Sequence, residues 1–441
     1  MKILSKILLL TALLIPLSLR AQIYEPVSLA INSENGIYAP GDSVKITAII
    51  RGGAEDKLLL RVLRYGEEIS KETLSLPEGE TLIYADAFPE ATSVIVNLGP
   101  ASNPKVSTAI GFLVAAETFR PGFNTPGNLV QYWKKEVKRL RKSKPVVKTY
   151  PAVFDDNEKT DVSQFECYRI EINMPDGRPC RGYVAYPKGA ELKSLPIFVW
   201  LHGAGVLKRG NRALASRVLT EAKKGCIALD INAHGFEDDQ PQDYYAELDA
   251  GELRRYAYRD YSGKGDYYFH NMYLRDIRAL DYATTLPYWD GKRIVVYGSS
   301  QGGGQALALA GIDPRVTHCV ALVPALTDMG AVLDGRKSGW PSAANKKNAP
   351  TYLGPSVMAY HDGALLVSLF KGDLYIEAGN IDVTCDPACV AAAYNNAVRV
   401  KSKQIYFFPR RPHADRDLLN DPSWKEQVLK KREAFIREAL R

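Results

Sequence analysis

Ser300 sits in the one stretch of this sequence whose residue types and spacing most clearly suggest covalent chemistry. It is the centre of Gly298-Ser299-Ser300-Gln301-Gly302, which fits the pattern G-x-S-x-G. The apolar run Arg293-Ile294-Val295-Val296-Tyr297 precedes it, and Gln305-Ala306-Leu307-Ala308-Leu309-Ala310 follows. That reads as strand, tight turn, helix. A serine on such a turn projects its hydroxyl above the sheet, and side chains at the flanking glycines would collide with the neighbouring strand and helix. Gly and Ser are common, so the plain alternative is a glycine-rich connection. The strand before and the helix after argue against it.

A serine hydroxyl is a poor nucleophile without a base to take its proton and a carboxylate to orient that base. After an elbow of this kind the order along the chain is Ser, then Asp or Glu, then His. Of six histidines, only His318, His361 and His413 follow Ser300. His318 opens an apolar run too close to the elbow, and His361 lies among loop-like residues before the next strand. His413 follows the last apolar run, in Pro409-Arg410-Arg411-Pro412-His413. Loops at the C-terminal ends of strands carry the sites of open α/β sheets, so His413 is the favoured base. The acid should follow the preceding strand. Asp382 comes just after a turn there and is favoured over Asp386, whose following proline suggests a helix start. For either residue the bland role is a helix N-cap.

Two backbone N–H groups must meet the negative charge that develops on an attacked carbonyl. Gln301, at a helix N-terminus, supplies one. Ala204, in His202-Gly203-Ala204-Gly205 after the strand-like 197–201, supplies the other. His202 then has a structural role, bracing that loop.

The elements that must position these groups read as two domains after a leader. Lys2, Lys6 and the apolar stretch 7–17 resemble an export signal, 1–21, too short to span a membrane comfortably. Residues 22–115 carry short β-rich runs at 27–31, 43–51, 57–64, 81–85, 92–98 and 107–115. About seven strands in about ninety residues suggest an immunoglobulin-like sandwich, without its Cys…Trp…Cys core. Residues 116–441 change character. A helix at 129–142 and a hairpin around Pro175-Asp176-Gly177 lead into apolar strands at 197–201, 226–231, 293–297, 319–323, 373–378 and 404–408. Such runs mark strands buried on both faces of a mostly parallel sheet. The expected fold is α/β: an α/β-hydrolase domain preceded by a small all-β sandwich. A closing helix, 422–441, places Trp424, Val428, Phe435 and Leu440 along one face.

The net charge is +7 at pH 7, and loss of Lys2, Lys6 and Arg20 with the leader leaves +4. The cations are scattered, which argues against nucleic-acid binding. No other segment is apolar enough to cross a bilayer, so the mature chain is expected to be exported, periplasmic or secreted, with no membrane insertion. Six cysteines in 441 residues make no disulfide scaffold. Cys226 and Cys319 read as buried thiols, while Cys167 with Cys180, or Cys385 with Cys389, could bridge in an exported protein. A zinc site at Cys385 and Cys389 lacks further ligands at suitable spacing.

With these residues in hand, 120–440 resembles the acetyl xylan esterase/cephalosporin C deacetylase family, carbohydrate esterase family seven. The likeness runs through the entry segment 123–141 with Trp133, the His202-Gly203 strand end, Asp290-Gly291-Lys292-Arg293-Ile294 into the elbow with its glutamine, Ala378-Gly379-Asn380-Ile381-Asp382, and Ala391-Ala392-Ala393-Tyr394-Asn395. It implies Ser300, Asp382 and His413 as triad, Ala204 and Gln301 as oxyanion donors, no metal or organic cofactor, an acetylated oligosaccharide as substrate, and a homo-oligomer. Two departures bear on substrate choice. Ala233-His234-Gly235 stands where the family usually has Arg-Gly-Gln, and Ala414 follows the histidine where Glu is usual. An insertion rich in aromatics, with Tyr244, Tyr245, Tyr256, Tyr258, Tyr261, Tyr267, Tyr268 and Phe269, reads equally as a stacking surface for sugars or a packed cap. The competing functions are a serine exopeptidase of the same superfamily, and a carbohydrate-binding protein with a decayed hydrolase domain.

Overall fold

Alternation of apolar and polar residues builds the N-terminal part. Over Ser43–Ile50, Val44, Ile46, Ala48 and Ile50 are buried while Ser43 and Lys45 face water, the period of two that a strand imposes. The computed structural model describes residues 23–154, 161–175, 177–259, 263–344 and 357–441. The leader expected over 1–21, Asp176 of the hairpin turn and Tyr261 of the aromatic insertion lie outside the described residues.

Eight strands come first: β1 (Val27–Ile31), β2 (Ile37–Tyr38), β3 (Ser43–Ile50), β4 (Leu58–Arg64), β5 (Glu67–Leu74), β6 (Gly79–Ala87), β7 (Thr92–Pro100) and β8 (Thr108–Val114). They form a sheet in the order β1-β3-β6 and another in the order β2-β8-β7-β4-β5. Val44, Ile46, Val62, Val94, Val96, Ile110 and Phe112 share one core. Sequence reading misses β2, which is two residues long, and β5, an edge strand exposed along almost its whole length. Neither carries an apolar alternation to detect.

Nine further strands form one sheet: β9 (Val147–Pro151), β10 (Phe165–Ile172), β11 (Cys180–Pro187), β12 (Leu195–Leu201), β13 (Ile227–Ile231), β14 (Trp289–Ser299), β15 (His318–Leu322), β16 (Asp373–Gly379) and β17 (Ser402–Phe408). Their order is β17-β16-β15-β14-β12-β13-β11-β10-β9. The pairs from β13 through β12, β14, β15 and β16 to β17 are parallel; β9, β10 and β11 join antiparallel. The helices are α1 (Leu129–Lys142), α2 (Ala215–Ala222), α3 (Gln242–Ala250), α4 (Tyr268–Ala283), α5 (Gln301–Ile312), α6 (Gly363–Leu366), α7 (Pro387–Asn396), α8 (Pro422–Trp424) and α9 (Lys430–Leu440). Ile197, Val199, Val296 and Ile376 pack in one core with α1, α4 and α5. Phe198, Val295, Val320 and Tyr375 pack in another with α2 and α9. Alternate residues of each strand thus reach opposite cores, which is why these segments read as unbroken apolar runs.

Strand order reverses at β12: the chain passes to β13 on one side and returns to β14 on the other. Ligand crevices of open sheets form at such reversals, outside the strands' C-terminal ends.

Two expectations are corrected. The closing helix is interrupted by a π-helical turn at Lys425–Leu429. That extra residue per turn rotates the following face, so Ile436 and Ala439 are buried and Phe435 is only partly covered. All six cysteines are free thiols. Cys167 stands opposite Ala185, and Cys180 opposite Ile172, so the first pair is offset along the hairpin.

Candidate active site

Ser300 occupies the turn between β14 and α5 at φ 58° and ψ −122°, a conformation that costs a non-glycine residue about 1–3 kcal/mol. The surroundings enforce it. The Ser300 N–H donates to the Leu322 carbonyl at 2.9 Å, and its carbonyl accepts from Gly304 at 3.1 Å and Ala325 at 2.9 Å. A Cβ on Gly298 would lie 2.2 Å from the Gly302 carbonyl oxygen, and one on Gly302 would lie 2.2 Å from the Leu201 carbonyl oxygen. Both glycines are therefore required by close backbone approach, the second because α5 starts against the end of β12.

β16 and β17 pair through to Gly379 and Phe408, so the loops that leave them begin side by side. Asp382 lies on the first loop, fully buried. Its Oδ1 accepts from the N–H groups of Thr384 at 2.8 Å and Cys385 at 2.9 Å, and its Oδ2 lies 2.8 Å from His413 Nδ1. His413, on the second loop, has Nε2 at 2.8 Å from Ser300 Oγ. A carboxylate only accepts. Nδ1 must then carry the hydrogen toward Asp382, which leaves Nε2 as the acceptor for the serine hydroxyl. The imidazole is about a third exposed, with 30% of its side chain open to solvent.

The loop that carries His413 is anchored from below. Glu377, on β16, is fully buried between two guanidinium groups: Arg411 pairs with its Oε2, and Arg432 Nε donates to Oε1 at 2.7 Å. Sequence reading passes over this clamp, although a glutamate inside Leu374-Tyr375-Ile376-Glu377-Ala378 is a visible anomaly.

β12 and β14 are neighbours, with Leu201 opposite Gly298. That register sets the Ala204 loop beside the start of α5. Among the described residues no acceptor takes the backbone N–H of Ala204 or Gln301. Asn211 Nδ2 donates to the Ala204 carbonyl at 2.5 Å. The Tyr256 hydroxyl accepts from the Gly205 N–H at 3.3 Å and donates to the Gln301 side-chain carbonyl. One buried phenol thus joins the two segments whose amides are free, and burial raises its pKa. His202 is buried against Asp230, whose other oxygen accepts from Arg217 at 2.6 Å. Burial alone would raise the Asp230 pKa, but His202 and Arg217 outweigh it and hold it low. His202 therefore braces its loop. His234 packs edge-on against Tyr256, with ring centroids 4.8 Å apart. Its Nδ1 lies 2.8 Å from the Tyr268 hydroxyl, and burial pushes its pKa down to about 3.

The alternatives weighed from sequence fall elsewhere. His361 is fully buried, 2.9 Å from the Val357 carbonyl and 3.3 Å from His270. Asp386 caps α7 by accepting from the Ala388 N–H at 2.9 Å, and burial lifts its pKa to about 6. Of the aromatic insertion, Tyr245, Tyr256, Tyr267 and Phe269 are buried and Tyr258 is 43% exposed, so most of it is packed cap. Asp382, Cys385 and His413 bring metal-capable atoms within 4.8 Å of one another. The facing Asp382 and His413 atoms already bond each other, and burial raises the Cys385 thiol well above its usual range.

A serine at positive φ between strand and helix, over a mostly parallel sheet, defines an α/β-hydrolase. Within that class the chain belongs to the acetyl xylan esterase family, a group of carboxylic ester hydrolases whose sequence profile matches residues 112–422. The resemblance read from 120–440 therefore holds. The acetyl esterase Axe7A of Xylanibacter ruminicola is 33% identical over 298 residues, 67% of this chain. The match spans 65% of that relative's length. The acetyl xylan esterase of Paenibacillus sp. R4 superposes with a TM-score of 0.56 at 26% identity, over 73% of this chain and 98% of its own. Acetyl xylan esterase 1 from a Thermoanaerobacterium species gives 0.55 at 20% identity, over 74% and 97%, and speaks for the fold alone.

Proposed function

We propose that this chain is a serine carboxylesterase that removes O-acetyl groups from xylan-derived or related acetylated oligosaccharides. His413 takes the proton of Ser300 as its oxygen attacks the acetyl carbonyl. The N–H groups of Gln301 and Ala204 receive the negative oxygen of the tetrahedral intermediate. As the acyl C–O bond breaks, His413 gives that proton to the departing sugar oxygen, which leaves as a hydroxyl, and Asp382 stabilises the imidazolium that forms in between. Water, deprotonated by the same imidazole, attacks the acetyl-serine and releases acetate. The observation that carries this reading is the unbroken run of 2.8 Å contacts from Ser300 through His413 to Asp382. The free amides beside it and the family membership support it.

In the same reading, residues 1–21 direct export to the periplasm or beyond, 22–115 form an immunoglobulin-like sandwich, and 116–441 form the catalytic domain. No helix among the described residues is long and apolar enough to cross a membrane. The test is acetate release from a panel of acetylated glycans, wild type against Ser300→Ala. Activity on acetylated xylooligosaccharide and none on an aminoacyl anilide is expected, with the variant inert. Full activity in Ser300→Ala would place the nucleophile elsewhere, and cleavage of the anilide alone would make the chain an exopeptidase.

A further inference from the structure

Two loops carry Asp382 and His413, and both are touched by backbone that lies outside the family match. Asn380, two residues before the acid, is fully buried. Its Nδ2 donates to the carbonyls of Asn35 at 3.0 Å and Gly111 at 3.3 Å. Pro409, four residues before the histidine, accepts from the Gly111 N–H at 2.9 Å. One peptide strand, β8, therefore binds the root of each loop with the N–H and C=O of a single residue.

β8 can do this because of its neighbour. On its outer side β2 pairs only with Leu113 and Val114. Gly111, two residues earlier, keeps its outward polar groups for the loops. No side chain fits there. A Cβ on Gly111 would lie 2.1 Å from the Asn380 carbonyl oxygen. Gly36, at φ +68°, would bring a Cβ to 2.6 Å from Asn380 Nδ2 and 3.2 Å from Pro409 Cγ. An apolar seam backs the contact: Leu113, Ala116 and Phe119 pack on Ala388, Ala391 and Ala392 of α7. Asn395 Nδ2 adds a bond to the Ala116 carbonyl at 2.8 Å. The family match begins at residue 112, so Asn35, Gly36 and Gly111 precede it.

We propose that the N-terminal β-structure is a positioning element of the active site, holding the acid loop through Asn380 and the histidine loop through Pro409 so that Asp382 and His413 meet. The inference rests on the catalytic reading above. Asn380 and Gly111 touch no reacting atom; they act through the loops. Buried hydrogen bonds to backbone at both loop roots fix the loops' separation, and a triad loses efficiency when its members are displaced by about 1 Å.

The full-length chain provides the test. Gly111→Ala inserts a methyl group where backbone already stands, while alanine suits a strand in every other respect. Asn380→Ala removes the two donated bonds without adding bulk. Val44→Ala, in the sandwich core away from the loops, is the control for general loosening. For each variant, kcat and KM on p-nitrophenyl acetate and the melting temperature are measured. Both interface variants should stay folded, lose about tenfold in kcat and keep KM within about twofold. Val44→Ala should lower the melting temperature and leave kcat in place. Folded interface variants with wild-type kcat would overturn the inference, as would Val44→Ala matching their losses. If the wild type releases no acetate, or Ser300→Ala stays active, the catalytic reading fails first and takes this one with it.

Discussion

Tyr256→Phe removes one oxygen atom from behind the site and should separate catalysis from binding. That hydroxyl is buried, accepts the Gly205 N–H at 3.3 Å and donates to the Gln301 side chain. Gln301 Nε2 has no hydrogen-bond partner among the described residues, and the residue is fully buried. Loss of the hydroxyl leaves the whole Gln301 amide unpaired, which costs about 1–3 kcal/mol of stability. The long bond from Gly205 adds about 0.5 kcal/mol at the lower end of hydrogen-bond worth. The sum, about 1.5–3.5 kcal/mol, corresponds to about 2–5 °C in melting temperature for a domain as large as 116–441. On the proposed mechanism, a catalytic effect arises because both segments bearing the free amides lose a common tether. Removing one oxyanion donor outright lowers kcat by about 10²–10³. Misaiming two donors that are both still present should cost less, about 10- to 100-fold, or roughly 1.4–2.7 kcal/mol. The ground-state carbonyl gains little from these amides, so KM should hold within about twofold. Steady-state kinetics on p-nitrophenyl acetate and a thermal melt by circular dichroism provide the assay. A folded variant with wild-type kcat would refute the tether. So would a loss carried wholly by KM, which would make Tyr256 a substrate contact instead.

Two further outcomes follow from the geometry. Gly302→Ala sets a methyl group 2.2 Å from the Leu201 carbonyl oxygen; it should pry α5 from β12 and abolish fluorophosphonate labelling of Ser300, and labelling at the wild-type rate would show that the elbow tolerates a side chain. His361 is kept neutral by burial, with a pKa pushed down to about 3 against 6.5 in the unfolded chain. The unfolded state then binds the proton first as pH falls, so His361 draws stability down from about pH 6.5 toward pH 3, by about 2 kcal/mol at pH 5. Replacement by Asn should flatten the fall in urea midpoint between pH 7.5 and pH 5, and an unchanged slope would exclude His361 as its source.

Local sequence carries the parts of this protein that depend on near neighbours. Gly298 and Gly302 are legible because two backbones approach at a turn only five residues long, and the apolar runs at 294–297 and 374–378 are legible because both faces of the sheet are covered. The positions of Ser300, Asp382 and His413 at strand ends follow from the same pattern. Edge strands β5 and β9 are not legible, since exposed residues leave no alternation, and neither is the π turn at Lys425–Leu429. The aromatic insertion reads ambiguously because tyrosine serves a core and a sugar-binding surface equally well; only its packing shows that Tyr245, Tyr256 and Tyr267 are core.

Relations across the chain were decided by tertiary structure alone. Nothing near Tyr256 in sequence points to Gln301, nor anything near Gly111 to Asn380, since these partners lie 45 and 269 residues apart. Their meeting depends on strand order, which puts β12 beside β14 and β16 beside β17, and on how the sandwich seats against α7. A sequence specifies which groups it carries and the local turn that presents each one. The angles and separations among them emerge only when the sheet has closed, because they are set by packing against segments that are distant along the chain.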